Sequence, residues 1–363
     1  METARFFSSD SNDSIRCGLC GHSCAIPNGS FGVCGVRGNK CGKSLIPFYG
    51  HVTALAVDPI EKKPLYHFRP GSKILSAGFA GCNLKCPFCQ NWHISQCTKG
   101  NLGNSVSYGD TAQGRKMSPG DLVSAALHEP QPSPYTGDGS PLAGSMSIAY
   151  TYSEPLIHIE FLLDCMALAH KHGIANVLVT NGCISSEAAH EVLALTDAAN
   201  IDLKCFSAET YAKVLGGDLD SVLAFIKLAL EKKVHVELTT LVVPGLNDSI
   251  EELDKCAAFI ANLRAASPAG PLGETQAVPW HLSAYHPEYR WNAPPTDPEF
   301  LLKIKKRVSN TLPYVYAGNI PGEENSTLCP HCVKPLVRRF GYRVEIKGLA
   351  PPAEPTRARV STL

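Results

Sequence analysis

Residues 74–91 read Ile74-Leu-Ser-Ala-Gly-Phe-Ala-Gly-Cys-Asn-Leu-Lys-Cys-Pro-Phe-Cys-Gln-Asn91, an apolar segment followed at once by three cysteines. Cys82, Cys86 and Cys89 have the spacing C-x3-C-x2-C. A metal centre that is purely structural usually has four protein ligands. Three thiolates would therefore leave one iron of a four-iron cluster open to a small molecule. A zinc knuckle completed by His93 or Cys97 is the alternative.

The charge balance excludes several classes of partner. The chain has 363 residues, with 33 basic and 33 acidic side chains and a formal net charge of +0. No global field therefore draws it towards nucleic acid or an anionic membrane. No apolar run is long enough to span a bilayer, and the acidic first residues lack the apolar core of a signal peptide. We expect a cytoplasmic protein with no membrane partner and no strong nucleic-acid signal.

Fifteen cysteines in such a compartment are not expected to form disulfides. A second close-set group precedes the three-cysteine loop, and four thiolates can close a site. This group comprises Cys17, Cys20, Cys24 and Cys34. It could hold zinc, an auxiliary iron–sulfur cluster or no metal. Cys329-Pro-His-Cys332 is only half a metal site.

Strand-like and helix-like segments alternate from residue 74 onwards. The predicted strands are 74–80, 147–152, 176–180, 199–203, 235–243 and 281–285, and the helices are 121–129, 156–171, 187–195, 219–232, 250–264 and 298–310. Short strands rich in Val, Ile and Leu predict a parallel sheet with both faces covered, joined by right-handed crossovers. Polar residues at the carboxyl ends of several strands favour a barrel over a doubly wound sheet.

We therefore predict an α/β fold, a partial (β/α)6 barrel with a Cys-rich N-terminal extension. The expected organisation has four parts: a Cys-rich N-terminal segment (1–47), the barrel core (48–320), a C-terminal Cys-containing segment (321–347) and a disordered tail (348–363). The tail is rich in Pro, Ala and Arg, which is typical of disorder.

Motifs spread along the chain resemble those of one enzyme family. They are Asp58-Pro-Ile-Glu-Lys-Lys-Pro-Leu-Tyr-His-Phe68, Gly81-Cys-Asn83, Cys89-Gln-Asn-Trp92, Thr151-Tyr-Ser-Glu-Pro155, Val179-Thr-Asn-Gly182, Asp202-Leu-Lys204 and Val243-Pro-Gly-Leu-Asn-Asp248. The chain resembles the radical S-adenosylmethionine (SAM) enzyme of the AmmeMemoRadiSam system, a family similar to the pyruvate formate-lyase activating enzymes. The resemblance implies a barrel of the radical SAM type.

The resemblance also implies the cofactors. Cys82, Cys86 and Cys89 would hold a [4Fe-4S] cluster, with the aromatic Phe88 before the last cysteine, and SAM would chelate the open iron. An electron from a flavodoxin- or ferredoxin-like donor would cleave SAM to a 5′-deoxyadenosyl radical. That radical would abstract hydrogen from an unidentified substrate, which could be a protein.

Further site residues follow from the motifs. Glu154 would hold the SAM amino group, although family members often have glycines before this acid and this chain has Tyr152-Ser153. The resemblance also implies SAM contacts for Thr180, Asn181 and His286, and a place near SAM and substrate for Asp202 and Lys204.

Each of these residues also has a structural interpretation. Asp202 and Lys204 could be only an ion pair, Thr180-Asn181-Gly182 a turn that ends a strand, and His281 and His286 hydrogen-bonded core residues. The charge run Glu61-Lys62-Lys63 is typical of a solvated face, with a role in substrate access as the alternative.

Three functions follow. The leading one is reductive SAM cleavage for hydrogen abstraction. One alternative is an activase of a glycyl radical enzyme, as in the pyruvate formate-lyase activating enzymes. The other, from a different class, is a non-catalytic zinc-binding interaction protein that uses the N-terminal cysteines and the Arg338-Arg339 pair.

Overall fold

The computed structural model describes residues 4–10, 13–98, 114–128, 147–266 and 277–347, without the side chains of 264–266. The predicted disordered tail lies outside this range. The N-terminal segment forms two small antiparallel sheets. Its strands are β1 (Phe7–Ser9), β2 (Ile15–Cys17) and β3 (Cys24–Ile26) in one sheet, and β4 (Gly38–Lys40) and β5 (Lys43–Leu45) in the other.

A nine-stranded sheet organises the rest of the fold. Its strands in chain order are β6 (His51–Pro59), β7 (Lys73–Phe79), β8 (Arg115–Lys116), β9 (Ser147–Thr151), β10 (Asn176–Thr180), β11 (Ala198–Asp202), β12 (His235–Val242), β13 (Trp280–Ala284) and β14 (Val315–Gly318). The spatial order is β14-β13-β12-β11-β10-β9-β7-β6-β8. β7 and β9 to β14 are parallel, whereas β6 runs antiparallel to both β7 and β8.

The predicted α/β fold with a large parallel sheet is confirmed. All six predicted strands form, and β14 adds a seventh parallel strand. Among the described residues the edge strands β14 and β8 are not hydrogen-bonded to each other, so the sheet is open there. The division of the chain into four parts stays a prediction.

Eight α-helices, several of them between successive parallel strands, lie in the described ranges. They are α1 (Trp92–Ser95), α2 (Pro119–Leu127), α3 (Ile159–Lys171), α4 (Ser186–Leu193), α5 (Ala208–Thr210), α6 (Leu219–Glu231), α7 (Ile250–Ala266) and α8 (Pro298–Val308). α2 begins at a capping box, in which the Ser118 hydroxyl accepts from Asp121 N and the Asp121 carboxylate accepts from Ser118 N. In the described ranges we find no helix with the length and apolarity to cross a membrane.

A C-terminal antiparallel sheet packs back onto the core. It consists of β15 (Thr327–Leu328), β16 (Pro335–Phe340) and β17 (Arg343–Ile346). Arg339 of β16 is fully buried, with its guanidinium carbon 4.4 Å from the centre of the Tyr66 ring. Its Nη1 donates to the Thr327 hydroxyl at 2.7 Å, and its Nη2 to the Tyr66 carbonyl. The side chain thereby joins the C-terminal sheet to the segment before β7.

That segment, residues 60–72, lies against buried polar groups of the central sheet. Glu237 of β12 accepts hydrogen bonds from the backbone amides of Tyr66 and His67. His281 lies 2.7 Å from the same carboxylate and is buried, so the core interpretation of this histidine is confirmed.

The interpretation of Glu61-Lys62-Lys63 as a solvated face is wrong for two of its members. Glu61 is only 3% and Lys63 only 2% exposed. Lys63 pairs with Asp58, and Glu61 accepts from Gly71 N. Only Lys62 keeps a side chain that is about half exposed.

Candidate active site

One cavity of about 310 Å³ lies where the parallel strands end. Its lining includes residues at or beyond the carboxyl ends of five strands: Cys82 after β7, Glu154 after β9, Asn181 after β10, Lys204 after β11 and Asn319 after β14. Ligands of parallel α/β sheets bind at this edge. The cavity also gathers Cys86, Phe88, Cys89 and Asp202, so most of the predicted site residues meet in one place.

The three predicted cluster cysteines share this cavity but differ in exposure. Cys86 is buried, whereas Cys82 and Cys89 are partly exposed. Burial raises the pKa of the Cys86 thiol to about 11, and Lys204 opposes that shift. The Leu84 amide lies 3.3 Å from Cys82 Sγ, and the Ser95 hydroxyl lies 3.2 Å from Cys89 Sγ.

Gly81 lets the loop pass close to the N-terminal segment. Its φ is +84°, which favours glycine, and a Cβ built there would lie 2.6 Å from the Cys34 carbonyl oxygen and 2.8 Å from Val36 Cγ1. His22 lies 2.8 Å from the Asn83 carbonyl oxygen. The N-terminal segment therefore contacts both neighbours of Cys82, Gly81 and Asn83.

Glu154 is buried in the cavity wall at 2% exposure. Its Oε1 accepts from the Thr180 hydroxyl at 2.7 Å and from Leu156 N at 3.0 Å, and its Oε2 accepts from Asn181 N at 2.9 Å. Burial raises the pKa of this carboxyl to about 7 although all three hydrogen bonds lower it. The carboxyl is held in place and can take up or release a proton near neutral pH.

An asparagine pair connects the end of β10 to the cysteine loop. Asn181 Nδ2 donates to Asn83 Oδ1 at 2.9 Å, and Asn83 Nδ2 donates to the Cys183 carbonyl at 2.6 Å. Asn181 Nδ2 also lies 3.8 Å from Cys82 Sγ. The loop therefore has a fixed position relative to the next strands.

Asp202 and Lys204 line the cavity and form an ion pair there, which was the structural alternative for these two residues. Lys204 Nζ lies 2.9 Å from Asp202 Oδ2. Burial alone would lower the pKa of Lys204, but Asp202 and then Cys86 hold it well above its usual value. Lys204 thus supplies a fixed positive charge beside Cys86.

Two predicted SAM contacts lie outside the cavity lining. Thr180 is buried, and its hydroxyl donates to Glu154 Oε1. The same Oγ1 accepts from Gly182 N at 3.1 Å. Gly182 has φ of +66°, so the interpretation of Thr180-Asn181-Gly182 as a turn that ends a strand describes the local geometry. His286 is exposed, and its Nε2 lies 3.3 Å from the Asn319 carbonyl oxygen.

The sequence assigned no site role to several lining residues, and to Lys62 only a role in substrate access as the alternative to a solvated face. Lys62 and Pro64 come from the segment before β7, and Tyr152 and Ser153 from the turn before Glu154. Thr239 and Leu241 alternate along β12, and Ser283 comes from β13. The alternation of Thr239 and Leu241 along one predicted strand was an available signal. For Lys62 the only signal stated was the charge run with its alternative role in substrate access.

The donor set fits an iron–sulfur cluster better than a single ion. In the described part of the chain, no three His, Cys, Asp or Glu side chains surround one point closely enough to hold a metal ion. A four-iron cluster binds each thiolate through a different iron, so its ligands need not converge on one point. Three soft thiols on one wall of a large cavity meet that requirement.

The four N-terminal cysteines line a second, much smaller cavity of about 10 Å³. Cys17 and Cys24 face each other across β2 and β3. Burial raises the pKa of the Cys20 thiol to about 12, and that of Cys34 as well. The lack of three converging donors in the described part of the chain applies to these four cysteines too, so a metal here stays a prediction. Cys329 and Cys332 likewise keep no assigned ligand role.

Comparison with known proteins agrees with this site. The pattern of the radical SAM superfamily matches residues 78–257. The chain is 35% identical over 352 residues to the uncharacterized protein MJ0808 of Methanocaldococcus jannaschii, covering 96% of this chain and 95% of that protein. It is 24% identical over 222 residues to the pyruvate formate-lyase 1-activating enzyme of Escherichia coli K12, and the match covers 60% of this chain and 77% of that enzyme.

Among solved structures, Streptococcus suis SuiB bound to S-adenosylmethionine is similar with a TM-score of 0.45 and 13% identity, over 68% of this chain and 51% of that chain. The superfamily match runs from the last residues of β7 into α7, the part of the chain that carries the three-cysteine loop, Glu154 and Lys204. Residues 78–257 therefore carry a radical SAM superfamily domain, and the chain is homologous to the pyruvate formate-lyase activating enzymes.

Proposed function

We propose that this protein cleaves SAM reductively and uses the product to abstract a hydrogen atom from its substrate. The observation that carries the proposal is the shared cavity. Three thiols, a buried carboxyl and a lysine–aspartate pair line one space at the ends of the parallel strands. Cys82, Cys86 and Cys89 would hold the [4Fe-4S] cluster, which when bound supplies the electron and the open iron for SAM cleavage.

The chain's own residues prepare the cavity for SAM. Glu154 is oriented by three hydrogen bonds, so its carboxylate can receive the SAM ammonium group without reorganisation. Lys204 places a positive charge beside Cys86, which offsets the negative charge that thiolate ligands bring into a buried site. Asn181 and Asn83 hold the loop that carries the thiols.

The test is formation of 5′-deoxyadenosine under anaerobic conditions after cluster reconstitution and strong reduction. Wild type should form it, and Cys86→Ala should not. Cys165→Ala is the matched control, because Cys165 is equally buried but lies in α3, outside the cavity. The proposal would be contradicted if wild type and Cys86→Ala formed the same background amount of 5′-deoxyadenosine.

A second candidate is activation of a glycyl radical enzyme. Homology to the pyruvate formate-lyase activating enzymes supports a protein substrate and an electron donor such as a flavodoxin or ferredoxin. This version requires a glycyl radical enzyme in the same cell. A genome that encodes this chain but no glycyl radical enzyme would contradict it, while 5′-deoxyadenosine formation would persist.

A further inference from the structure

Tyr152 has a backbone conformation that side chains rarely adopt. Its φ is +68°, in the left-handed region, and it lies directly between β9 and the Ser153-Glu154 pair of the cavity wall. A residue with a Cβ is strained in this conformation. Such strain persists only where surrounding contacts impose it.

Those contacts come from a segment distant in sequence. The Tyr152 hydroxyl donates to Asp58 Oδ2 at 2.6 Å, and Lys63 Nζ lies 2.8 Å from the same carboxylate oxygen. Lys63 Nζ also lies 4.2 Å from the centre of the Tyr152 ring. Each of these three residues, Asp58, Lys63 and Tyr152, therefore contacts the other two.

The backbone of Tyr152 is held from the other side. Asn91 Nδ2, at the end of the cysteine loop, donates to the Tyr152 carbonyl at 2.6 Å. Gly78 of β7 makes room for the ring, because a Cβ there would lie 2.8 Å from Tyr152 Cδ2. The next residue is fixed too, since the Ser153 hydroxyl donates to the Phe79 carbonyl at 2.6 Å.

The Asp58–Lys63 pair is buried, with exposures of 4% and 2%. Burial would raise the pKa of Asp58, yet hydrogen bonds from Lys63, Tyr152 and Lys62 hold it well below its usual range. Buried ion pairs are weak contributors to net stability because desolvation offsets their attraction. A contribution to stability therefore does not explain why a buried ion pair holds a strained residue. The position of the Asp58–Lys63 pair beside the cavity offers an explanation.

We propose that Asp58, Lys63 and Tyr152 form a positioning unit that fixes the turn carrying Ser153 and Glu154, and thereby sets the affinity of the cavity for SAM. The inference rests on the proposed function. Tyr152, Ser153 and Glu154 are consecutive and all line the cavity, so a shift at Tyr152 is transmitted to the carboxyl. The three residues act through Glu154 and are positioning residues rather than catalytic ones.

The test is SAM titration of the reconstituted protein, followed by calorimetry, with iron content and thermal unfolding measured on each variant. Asp58→Asn keeps the size of the side chain but removes the charge that holds Lys63 and Tyr152. We expect the dissociation constant for SAM to rise about tenfold or more, as for the loss of a charge-assisted hydrogen bond. Iron content should stay at the wild-type value.

Glu160→Gln provides the matched control. Glu160 forms a buried ion pair with Arg37 at 2.8 Å, with side-chain exposures of 6% and 1%, and it does not line the central cavity. The control should lower the unfolding temperature while leaving SAM affinity unchanged. If Asp58→Asn weakens SAM binding no more than Glu160→Gln does, the unit is only structural and the inference is wrong.

Tyr152→Gly keeps the inference testable should Asp58→Asn fail to fold. Glycine adopts the left-handed conformation without strain, so this variant should fold and retain iron. It lacks the ring and hydroxyl, and its SAM affinity should fall. Wild-type affinity in Tyr152→Gly would contradict the inference alone, whereas a wild type that neither binds nor cleaves SAM would overturn the proposed function as well.

Discussion

The carboxyl of Glu154 is the most constrained acid in the cavity. Its three hydrogen bonds come from the chain itself and keep it in place without a ligand. Glu154→Ala should weaken SAM binding by about tenfold or more, because it removes the counter-charge for the ammonium group. Iron analysis should show an unchanged cluster content. Loss of iron would mean instead that the residue supports the fold of the site.

The raised pKa of Glu154 predicts a pH dependence. Burial brings this pKa to about 7, so below that pH the free site holds a neutral carboxyl that must lose its proton to pair with an ammonium group. SAM affinity should therefore rise as the pH increases through about 7. In Glu154→Gln the group cannot titrate, and the same titration series should be flatter. A profile of equal steepness in the variant would assign the dependence to another group.

Gly81 is predicted to tolerate no side chain. Gly81→Ala would place a Cβ 2.6 Å from the Cys34 carbonyl and force a residue with a Cβ to adopt φ of +84°. The loop should shift and the protein should retain less iron after reconstitution. Gly173→Ala is the control, since Gly173 has a similar φ of +71° with no neighbour within 4 Å of the added Cβ. Equal iron retention in both variants would show that the close approach is unimportant.

At the residue scale, the sequence predicted which residues line the cavity better than it predicted the contacts among them. Cys82, Glu154 and Lys204 could be found because they end strands or stand in motifs. The partnership of Asp58 and Lys63 with Tyr152 could not, because it joins residues that are 94 and 89 positions away from the tyrosine (152 − 58 and 152 − 63). Local reading of a charge run predicts a solvated face, and only the fold reveals that two of its members are buried.

At the scale of the element, local signals fixed the position of the helices. Ser118 forms the capping box of α2, with Pro119 at the first helical position. Ser118→Ala should lower the free energy of unfolding by about 1 kcal/mol, because it leaves a backbone amide of the first turn unsatisfied. Urea unfolding measures the change. Ser124→Ala in the same helix is the control and should cost less, and an equal loss would show that the cap contributes nothing.

Six of the seven parallel strands were predictable, whereas β14 and the antiparallel strand β6 were not. β10 occupies the predicted residues 176–180, and the other five predicted strands differ only at their ends. β6 was missed because its exposure is mixed and its pairing with β7 is antiparallel, outside the strand–helix alternation. β14 was missed because it has only 4 residues and is followed by no helix in the described range.

At the scale of the whole molecule, Arg339 joins the C-terminal sheet to the rest of the fold. Arg339 is buried between this sheet and the segment before β7, 3.7 Å from Glu61. Arg339→Ala would leave the Glu61 carboxylate without this ion-pair partner, and the Tyr66 carbonyl and the Thr327 hydroxyl without this donor. The free energy of unfolding should fall by about 3–5 kcal/mol. Urea unfolding of Arg338→Ala, the exposed neighbour on the same strand, should change little, and similar losses in both would refute the role of the buried guanidinium.

The central claim is that the three-cysteine loop and Glu154 serve one cavity that holds both cluster and SAM. The most direct measurement is the electron paramagnetic resonance spectrum of the reduced, reconstituted protein before and after SAM is added. We predict a four-iron signal that changes on addition of SAM in wild type and changes far less in Glu154→Ala. A wild-type spectrum that stays the same at saturating SAM, or a reconstituted protein without a four-iron signal, would contradict the account.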